Sequence, residues 1–306
     1  MTQSQKITPC LWFDSNAEEA ANLYATLFAG SQINKLVRYG ETGQDITGKP
    51  PGSVMTVDFQ LAGYRFIGLN GGPLFRFTPA ISFYVTCETE AELDALWHGL
   101  SQNGSILMEL DKYPWSEKYG WLMDQYGLTW QLALGKIADV GQKIAPFLMF
   151  VGKQYGRAEE AIKLYTDIFQ DSKVDGILRF GAEEGAPAGT VKHAQFGLNR
   201  EKFMAMDSGA GHSFNFNEAI SLQITCETQA EIDQLWARLT ANGGEESSCG
   251  WLKDKFGVSW QVTPAVLQEM LNDPDPARTE RITYAYLQMK KFDIEALKRA
   301  YVGEAM

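Results

Sequence analysis

Metal-ligating and redox-active side chains are scarce in this 306-residue chain. It has three His and four Cys, at Cys10, Cys87, Cys226 and Cys249, and no two cysteines form a CxxC pair. Structural zinc sites combine four Cys or His ligands at short, characteristic spacings. The scarcity therefore argues against a zinc-cluster protein, and scattered unpaired cysteines are typical of a reduced, cytoplasmic protein.

Positive charge is also limited, with 27 Lys and Arg against 38 Asp and Glu and a formal net charge of -11. Nucleic-acid phosphates and anionic lipids both attract basic surfaces, so we expect neither a nucleic-acid nor a membrane partner. No apolar run approaches the ~20 residues of a membrane-spanning helix, and the first residues contain no apolar signal-peptide core. We therefore expect a cytoplasmic protein.

Two long stretches of the chain match each other. Residues 80–104 read AISFYVTCETEAELDALWHGLSQNG, and residues 219–243 read AISLQITCETQAEIDQLWARLTANG. A period far longer than that of solenoid repeats indicates two duplicated domains. We predict a first domain over residues 1–137, a second over 144–264, and a helical C-terminal extension over 265–306. Repeat 1 has an insertion between Gly104 and Gly120, which we expect to form a loop.

The hydrophobic pattern predicts the same order of elements in both repeats. A strand is followed by an amphipathic helix, whose apolar stripe in repeat 1 comprises Ala20, Leu23, Tyr24, Leu27 and Phe28. A β-hairpin follows, and the series strand, helix, hairpin is then repeated. Capping boxes, Thr89 with Glu92 and Thr228 with Glu231, indicate where the second helix of each repeat begins. Strands outnumber helices, so the predicted fold class is α+β.

Three motifs resemble those of the PhnB-like family. They are Ile7-Thr-Pro-Cys-Leu-Trp-Phe-Asp14, Ile81-Ser-Phe-Tyr-Val-Thr-Cys87 and Gly257-Val-Ser-Trp-Gln261. That family belongs to the vicinal oxygen chelate superfamily, with glyoxalase I and the bleomycin-resistance proteins. The resemblance implies two tandem glyoxalase-like domains, each of two paired βαβββ modules around a cleft. The family is often labelled a methyltransferase, but no Gly-rich cofactor loop follows a strand here.

The resemblance also implies where a metal would be bound. Catalytic members place His and Glu ligands on four strands of a domain. The matching positions in repeat 1 hold Pro9, Thr56, Ala80 and Gln131, and those in repeat 2 hold Pro146, His193, Ala219 and Gln261. Because a catalytic metal needs about three protein ligands, the resemblance implies a divalent metal in the second domain at most, held by His193 and Gln261. Alternatively, His193 is an ordinary strand residue and the two glutamines are buried and hydrogen-bonded.

Aromatic side chains recur on the strands and loops that would line the family's cleft. Most of them could equally pack in the core, and some could stack on a planar ligand. The candidate cleft residues are Trp12, Phe75, Phe77, Trp121, Trp130, Phe214, Phe216, Trp251 and Trp260.

Two functions fit these features. The first is binding of a small apolar or planar molecule in aromatic-lined clefts, with no cofactor, as the bleomycin-resistance branch does. The alternative is a metal-dependent lyase, isomerase or transferase of glyoxalase type, with the second domain active. A third interpretation is a scaffold in which duplication only stabilises the fold. Because the two repeats are tethered, we expect them to pair within the chain. The sequence does not decide whether two chains also form a homodimer.

Overall fold

Each repeat folds as two successive modules of one helix and four strands. The computed structural model describes residues 5–42, 44, 48–182 and 184–304. The first module of repeat 1 contains β1 (Ile7–Phe13), α1 (Ala17–Leu27), β2 (Gln32–Arg38), β3 (Val54–Leu61) and β4 (Tyr64–Asn70). The second contains β5 (Ile81–Cys87), α2 (Glu90–Ser101), β6 (Ser105–Tyr113), β7 (Ser116–Met123) and β8 (Thr129–Leu134).

Repeat 2 follows a short helix, α3 (Ile137–Val140), and has the same order. Its first module contains β9 (Ile144–Phe150), a 3-10 turn (Gly152–Gln154), α4 (Ala158–Ile168), β10 (Lys173–Arg179), β11 (Val191–Leu198) and β12 (Glu201–Asp207). Its second contains β13 (Ile220–Cys226), α5 (Gln229–Leu239), β14 (Glu245–Glu246), β15 (Trp251–Lys253) and β16 (Ser259–Pro264). The predicted α+β class is confirmed, and the boundaries at 137 and 144 stay a prediction.

The C-terminal extension is helical, as predicted. It comprises α6 (Ala265–Leu271), α7 (Pro276–Leu287) and α8 (Ile294–Val302). Asp293 caps α8 by accepting a hydrogen bond from the N–H of Ala296. No helix in the described part of the chain is long and apolar enough to cross a membrane.

The N-termini of the helices are capped in two different ways. The Thr89 and Thr228 side chains accept hydrogen bonds from the N–H of the glutamate three residues on, as in a capping box. Asn16 is the N-cap residue of α1 but forms no cap bond. Instead Asn70, at the end of β4, accepts a hydrogen bond of 2.9 Å from the N–H of Ala17. A tertiary contact therefore caps the first helix.

The strands form two eight-stranded sheets, and each sheet joins one module of repeat 1 to one module of repeat 2. Sheet A has the order β14-β15-β16-β13-β1-β4-β3-β2, and sheet B the order β10-β11-β12-β9-β5-β8-β7-β6. At the centre of sheet A, β1 and β13 pair antiparallel, and at the centre of sheet B, β5 and β9 do the same. The two repeats therefore pair within the chain by sharing both sheets.

The core lies on the helix-side faces of the sheets. In repeat 1 the buried carboxylate of Asp124 accepts hydrogen bonds from Tyr24 Oη (2.7 Å) and Trp130 Nε1 (2.9 Å). In repeat 2 Asp254 accepts the same bonds from Tyr165 (2.6 Å) and Trp260 (2.9 Å). These bonds tie the first helix of each repeat to its last strand, which belongs to the other sheet, and so hold the two sheets together.

The repeat 1 insertion does not form a loop. It lengthens the β6–β7 hairpin, whose tip carries Tyr113 and Trp115 with ring centroids 5.1 Å apart. The added residues continue the antiparallel pairing through several register shifts. Hydrogen bonds between the two strands satisfy backbone N–H and C=O groups of the extra residues. An irregular loop would leave these groups without strand partners.

Candidate functional site

The C-terminal helices cover the face of sheet A that points away from α1 and α5. We call this the outer face of the sheet. Between the outer face and the helices lies a cavity of about 590 Å³, which we call the sheet A cavity. A volume of this size is typical of sites for small organic molecules. The cavity is therefore the candidate site, and sheet and tail each supply part of its lining.

The floor of the cavity is formed by the central strands of sheet A. Cys10 on β1 pairs with Ser221 on β13, and Gln261 on β16 lies between Gln223 on β13 and Trp251 on β15. The Gln261 Nε2 atom donates a hydrogen bond of 2.8 Å to Ser221 Oγ. Cys10, Gln223, Trp251 and Gln261 all contact the cavity. The floor is thus neutral, with an aromatic ring on one side.

The walls and roof combine apolar side chains with polar and charged ones, among them Asp273 and Glu280 of the tail. Neighbouring strands contribute Met55, Ile67 and Leu69, and the tail contributes Leu267, Leu271, Tyr286, Leu287 and Phe292. Burial raises the pKa of the Tyr286 hydroxyl to about 12, with a smaller contribution from the nearby Cys249. This phenol is therefore neutral at physiological pH, and the roof carries no charge at this point.

Backbone and side-chain hydrogen bonds hold the tail over the cavity at both edges. The N–H groups of Cys249 and Gly250 donate to the carbonyls of Met289 and Lys290, each at 2.7 Å. At the opposite edge, Lys35 on β2 donates to Asn272, just after α6. The tail therefore spans sheet A from β15 to β2.

Charged side chains line the cavity near the β2 edge, and two of them form an ion pair with each other. Asp58 on β3 and Arg65 on β4 form a two-pronged ion pair, with Nη2 2.6 Å from Oδ2 and Nε 3.1 Å from Oδ1. Both contact the cavity. Because each neutralises the other, this pair makes the rim polar without giving it a net charge.

Two cysteines line the cavity, and both are thiols. Burial raises the pKa of Cys10 to about 11, although hydrogen bonds from Gln261 and Ser221 oppose the shift. Burial raises the pKa of Cys249 to about 11 as well. Nucleophilic cysteines need a lowered pKa, because the thiolate is the reactive form. Neither cysteine therefore has the electrostatic environment of a catalytic nucleophile.

The matching positions of sheet B carry larger side chains. Phe147 on β9 pairs with Ser82 as Cys10 pairs with Ser221, and Tyr84 pairs with Gln131 as Gln223 pairs with Gln261. Phe147 is almost completely buried. Rings on sheet B therefore occupy the place that smaller side chains leave free on sheet A.

The two residues predicted to share a metal in the second domain lie on different sheets. His193 is on β11 of sheet B, and Gln261 is on β16 of sheet A. The His193 ring is half-buried, 5.8 Å from the Phe147 ring, and desolvation lowers its pKa. The resemblance assigned both residues to the second domain, but each sheet combines modules of both repeats, so the two residues do not share a sheet.

The third predicted ligand, Gln131, shares sheet B with His193, but both ends of its amide are bonded. Its Nε2 donates to Ser82 Oγ and its Oε1 accepts from Tyr119 Oη, each at 2.8 Å. The described residues contain no group of three His, Cys, Asp or Glu side chains able to hold a metal ion. The residues present therefore do not fit the glyoxalase-type metal that the fold suggests.

Of the predicted aromatic cleft residues, Trp251 contacts the sheet A cavity. Trp12 packs on Trp251 with ring centroids 6.0 Å apart, and Phe75 packs on Trp12 at 5.0 Å. Phe77 packs on Phe13, a core residue, at 5.1 Å. The predicted residues around Trp251 thus form an aromatic group beside the cavity.

The remaining aromatic predictions divide between sheet B and the core. Trp121 pairs with Gln131 on sheet B, Phe214 packs on His212, and Phe216 packs on the core residue Phe150. Trp130 and Trp260 have no exposed surface and lie on the helix-side faces. As successive strand residues point to opposite faces, the glutamine after each tryptophan faces outwards instead. These two tryptophans are core residues and contribute to no cleft.

Sequence reasoning missed Cys10 and the tail as parts of the site. One signal was available, since the strand IleThrProCys of repeat 1 aligns with IleAlaProPhe of repeat 2. Where one repeat has a small residue and the other repeat has a large one at the matching position, the first copy has space that a side chain fills in the second. The pattern does not show which face of the strand is concerned.

Known proteins with the same features identify the family. The family model described as 3-demethylubiquinone-9 3-methyltransferase matches residues 5–133 and again residues 142–263. The chain belongs to this family. A PhnB protein from Bacillus cereus, described with the same methyltransferase name, is 47% identical over 43% of this chain and 100% of its own, with a TM-score of 0.40. The PhnB-like resemblance is therefore confirmed.

A protein from Staphylococcus aureus is 32% identical over 44% of this chain and 100% of its own, with a TM-score of 0.19. Glyoxalase I from Zea mays is 10% identical over 83% of this chain and 89% of its own, with a TM-score of 0.55. At that identity the similarity to glyoxalase I shows a shared fold and nothing about the reaction. No curated protein matches the chain.

Proposed function

We propose that this PhnB-like chain binds a small, largely apolar or planar molecule in the sheet A cavity, without a metal. One observation carries the proposal. Cys10 stands on the floor of sheet A where Phe147 fills the matching position of sheet B. The difference leaves room for a molecule on the outer face of sheet A, and the tail covers that room from above.

The lining supports a ligand with an apolar body. Ligand sites are typically lined by apolar and aromatic side chains with a few polar groups that fix orientation. Here Met55, Leu69 and Trp251 supply apolar surface, and Gln223 and Gln261 supply amide groups. The Asp58–Arg65 pair at the rim offers further polar contacts. The arrangement suits a planar molecule with one polar end.

The chemistry of the lining favours binding over catalysis. The Cys10 and Cys249 thiols have pKa values raised to about 11, so neither supplies a thiolate at neutral pH. The metal-dependent glyoxalase-type reaction in the second domain needs ligands from one site, whereas His193 and Gln261 are on separate sheets. We do not propose a methyltransferase either, because no strand is followed by a Gly-rich cofactor loop.

Nile red fluorescence tests the proposal, because this neutral, planar dye becomes fluorescent in apolar surroundings. We expect saturable binding at one site per chain. The Cys10→Phe variant introduces the ring that fills sheet B and should weaken binding by roughly tenfold or more, since the dye must compete with it for space.

Two controls distinguish filling of the sheet A cavity from a general loss of stability. Cys10→Ala keeps the space and should retain binding, and Phe147→Leu alters sheet B alone and should leave the affinity unchanged. Thermal unfolding of each variant verifies the fold. Equal affinity of the wild-type protein and a folded Cys10→Phe variant would show that the dye binds elsewhere and would refute the proposed site.

A further inference from the structure

Gln131 and Gln261 occupy matching positions on the two sheets, but their carbonyl oxygens have different partners. Both side chains donate from Nε2 to a serine on the neighbouring strand, Ser82 or Ser221, at 2.8 Å. On sheet B the Tyr119 hydroxyl donates to Gln131 Oε1 at 2.8 Å. Within the described part of the chain, no group forms a hydrogen bond to Gln261 Oε1.

The missing partner follows from the sequence of the preceding hairpin. Tyr119 comes two residues before Trp121, and the residue two before Trp251 is Cys249. A thiol is a weak hydrogen-bond donor, and this side chain is much shorter than that of tyrosine. Cys249 also has a φ of 57°, and regular pairing of β15 begins only at Trp251. Among the described residues, no hydroxyl is therefore bonded to Gln261 as the Tyr119 hydroxyl is bonded to Gln131.

The Gln261 carbonyl is accessible from the cavity. Gln261 is 9% exposed, and its Oε1 atom is not among the fully buried side-chain atoms that lack a partner in the described residues. Gln261 lines the cavity of about 590 Å³ together with Cys249 and Trp251. A ligand with a donor group would satisfy this carbonyl, as Tyr119 satisfies the carbonyl on the other sheet.

Sheet B shows which donor the geometry accepts. Tyr119 presents a neutral phenol to Gln131, because desolvation raises the pKa of its hydroxyl above the ordinary value. The Tyr119 ring has aromatic neighbours, Tyr113 at 5.8 Å and Trp115 at 6.2 Å between centroids, both near edge-to-face. On sheet A the corresponding surroundings are Trp251, Tyr286 and Phe292, which line the cavity.

We infer that the sheet A cavity selects a hydroxyaromatic molecule, a planar ring whose phenolic hydroxyl donates a hydrogen bond to Gln261 Oε1. The inference rests on the proposed function, since it names the class of ligand for the same cavity. Ser221, Gln223 and Cys10 beside this carbonyl carry no charge, which favours a neutral hydroxyl over an ammonium group or an anion. The cavity is larger than a single ring, so the phenol carries a further apolar substituent.

Three matched probes test the class of ligand. p-Cresol has the atoms of a tyrosine side chain, 4-methylanisole keeps the oxygen without the donor proton, and toluene lacks both. Calorimetric titration of the wild-type protein should give a p-cresol affinity roughly five- to tenfold above that of the other two, the range of one net hydrogen bond. Each probe should also displace Nile red, which places it in the sheet A cavity.

Substitution of Gln261, with Gln131 as the control, tests whether Gln261 Oε1 causes the preference for p-cresol. Gln261→Leu should remove the advantage of p-cresol over 4-methylanisole while toluene binds as before. Gln131→Leu breaks the equivalent bond on sheet B and should leave all three affinities unchanged. If Gln261→Leu is unfolded by circular dichroism, Gln261→Met, which is closer to glutamine in shape, replaces it.

The outcomes distinguish the two proposals. Equal affinities for p-cresol and 4-methylanisole, with Nile red displaced, would overturn the phenol inference and leave the apolar site intact. A p-cresol preference that survives Gln261→Leu would overturn the role of Gln261. Failure of Cys10→Phe to affect either Nile red or p-cresol would refute the cavity as the site, and with it both proposals.

Discussion

Cys10 and Phe147 occupy the same position in two copies of one strand, and each pairs with a serine across the centre of its sheet. The thiol leaves a space that the tail roofs, whereas the phenyl ring fills the equivalent space. The two outer faces therefore differ in how they are packed. One offers a cavity, and the other packs its own side chains.

Metal analysis provides a direct check, because the described residues contain no cluster of metal ligands. Because His193 and Gln261 lie on separate sheets, we expect well under one equivalent of Zn, Ni, Mn or Fe per chain by mass spectrometry. Treatment with EDTA should change neither the melting temperature nor Nile red binding. His193→Ala should leave both unchanged. One tightly held equivalent that is lost in His193→Ala would contradict this prediction.

The Asp254 carboxylate should be among the most sensitive core positions. It accepts hydrogen bonds from Tyr165, Trp260 and the N–H groups of Phe256 and Val258. Asp254→Ala leaves these buried donors unpaired, and we expect a loss of about 2–4 kcal/mol in the free energy of unfolding. Urea denaturation measures this loss.

Asp124→Ala is the matched variant in repeat 1 and should cost a similar amount, because Asp124 accepts the equivalent bonds. Asp254→Asn keeps an acceptor oxygen and should cost less than alanine. An alanine variant as stable as the wild-type protein would show that these bonds do not hold the two sheets together.

Glu201 should make stability depend on pH. Burial raises its pKa to about 8, opposed by hydrogen bonds from the N–H groups of Ile7 and Lys6. The folded protein therefore keeps this proton between pH ~4.5 and 8, where an unfolded glutamate has lost it. As a raised folded-state pKa favours folding at low pH, this contribution decreases as pH rises through that window.

We expect Glu201→Gln to flatten the decrease, since the neutral amide accepts the same N–H bonds without ionising. The measurement is the free energy of urea unfolding at pH 5.5, 7 and 8.5. The difference between wild type and variant should change by a few kcal/mol across this range. Glu295→Gln, at an exposed carboxylate on α8, is the control. A difference independent of pH would contradict the prediction.

Local patterns predicted the elements but not their partners. The helix stripe around Tyr24 and the capping box at Thr89 are set by residues a few positions apart, so the sequence displays them directly. The pairing of β1 with β13 joins residues more than 200 positions apart. No local pattern specifies it. The family resemblance assigned His193 and Gln261 to one domain, but the strands that carry them belong to different sheets.

The face of the sheet to which a strand residue points also depends on contacts outside the local sequence. Trp130 and Gln131 are adjacent, so they necessarily point to opposite sides of sheet B. The tryptophan was a candidate for either the cleft or the core, and the buried Asp124 provides an acceptor for its Nε1 on the helix side. The choice between the two faces depends on a partner that comes from elsewhere in the fold.

The position of the tail should control access to the sheet A cavity. The Gln229 side chain, at the start of α5, donates to the Phe292 carbonyl at 3.0 Å and accepts from the Ile294 N–H at 2.9 Å. These bonds fix the segment between α7 and α8, which includes the roof residue Phe292. Gln229→Ala removes both and should cost the tail's closed position roughly 1–2 kcal/mol.

Hydrogen exchange of α7 and α8 should therefore become faster by about tenfold in Gln229→Ala, while exchange in α1 and α2 stays unchanged, because only the closing equilibrium of the tail is altered. Nile red should dissociate faster from the variant, since the roof opens more often. Gln102→Ala removes a hydrogen bond to His98 next to α2 and serves as the control. Unchanged exchange in α7 and α8, together with an unchanged dissociation rate, would show that the backbone bonds at Cys249 and Gly250 hold the roof by themselves.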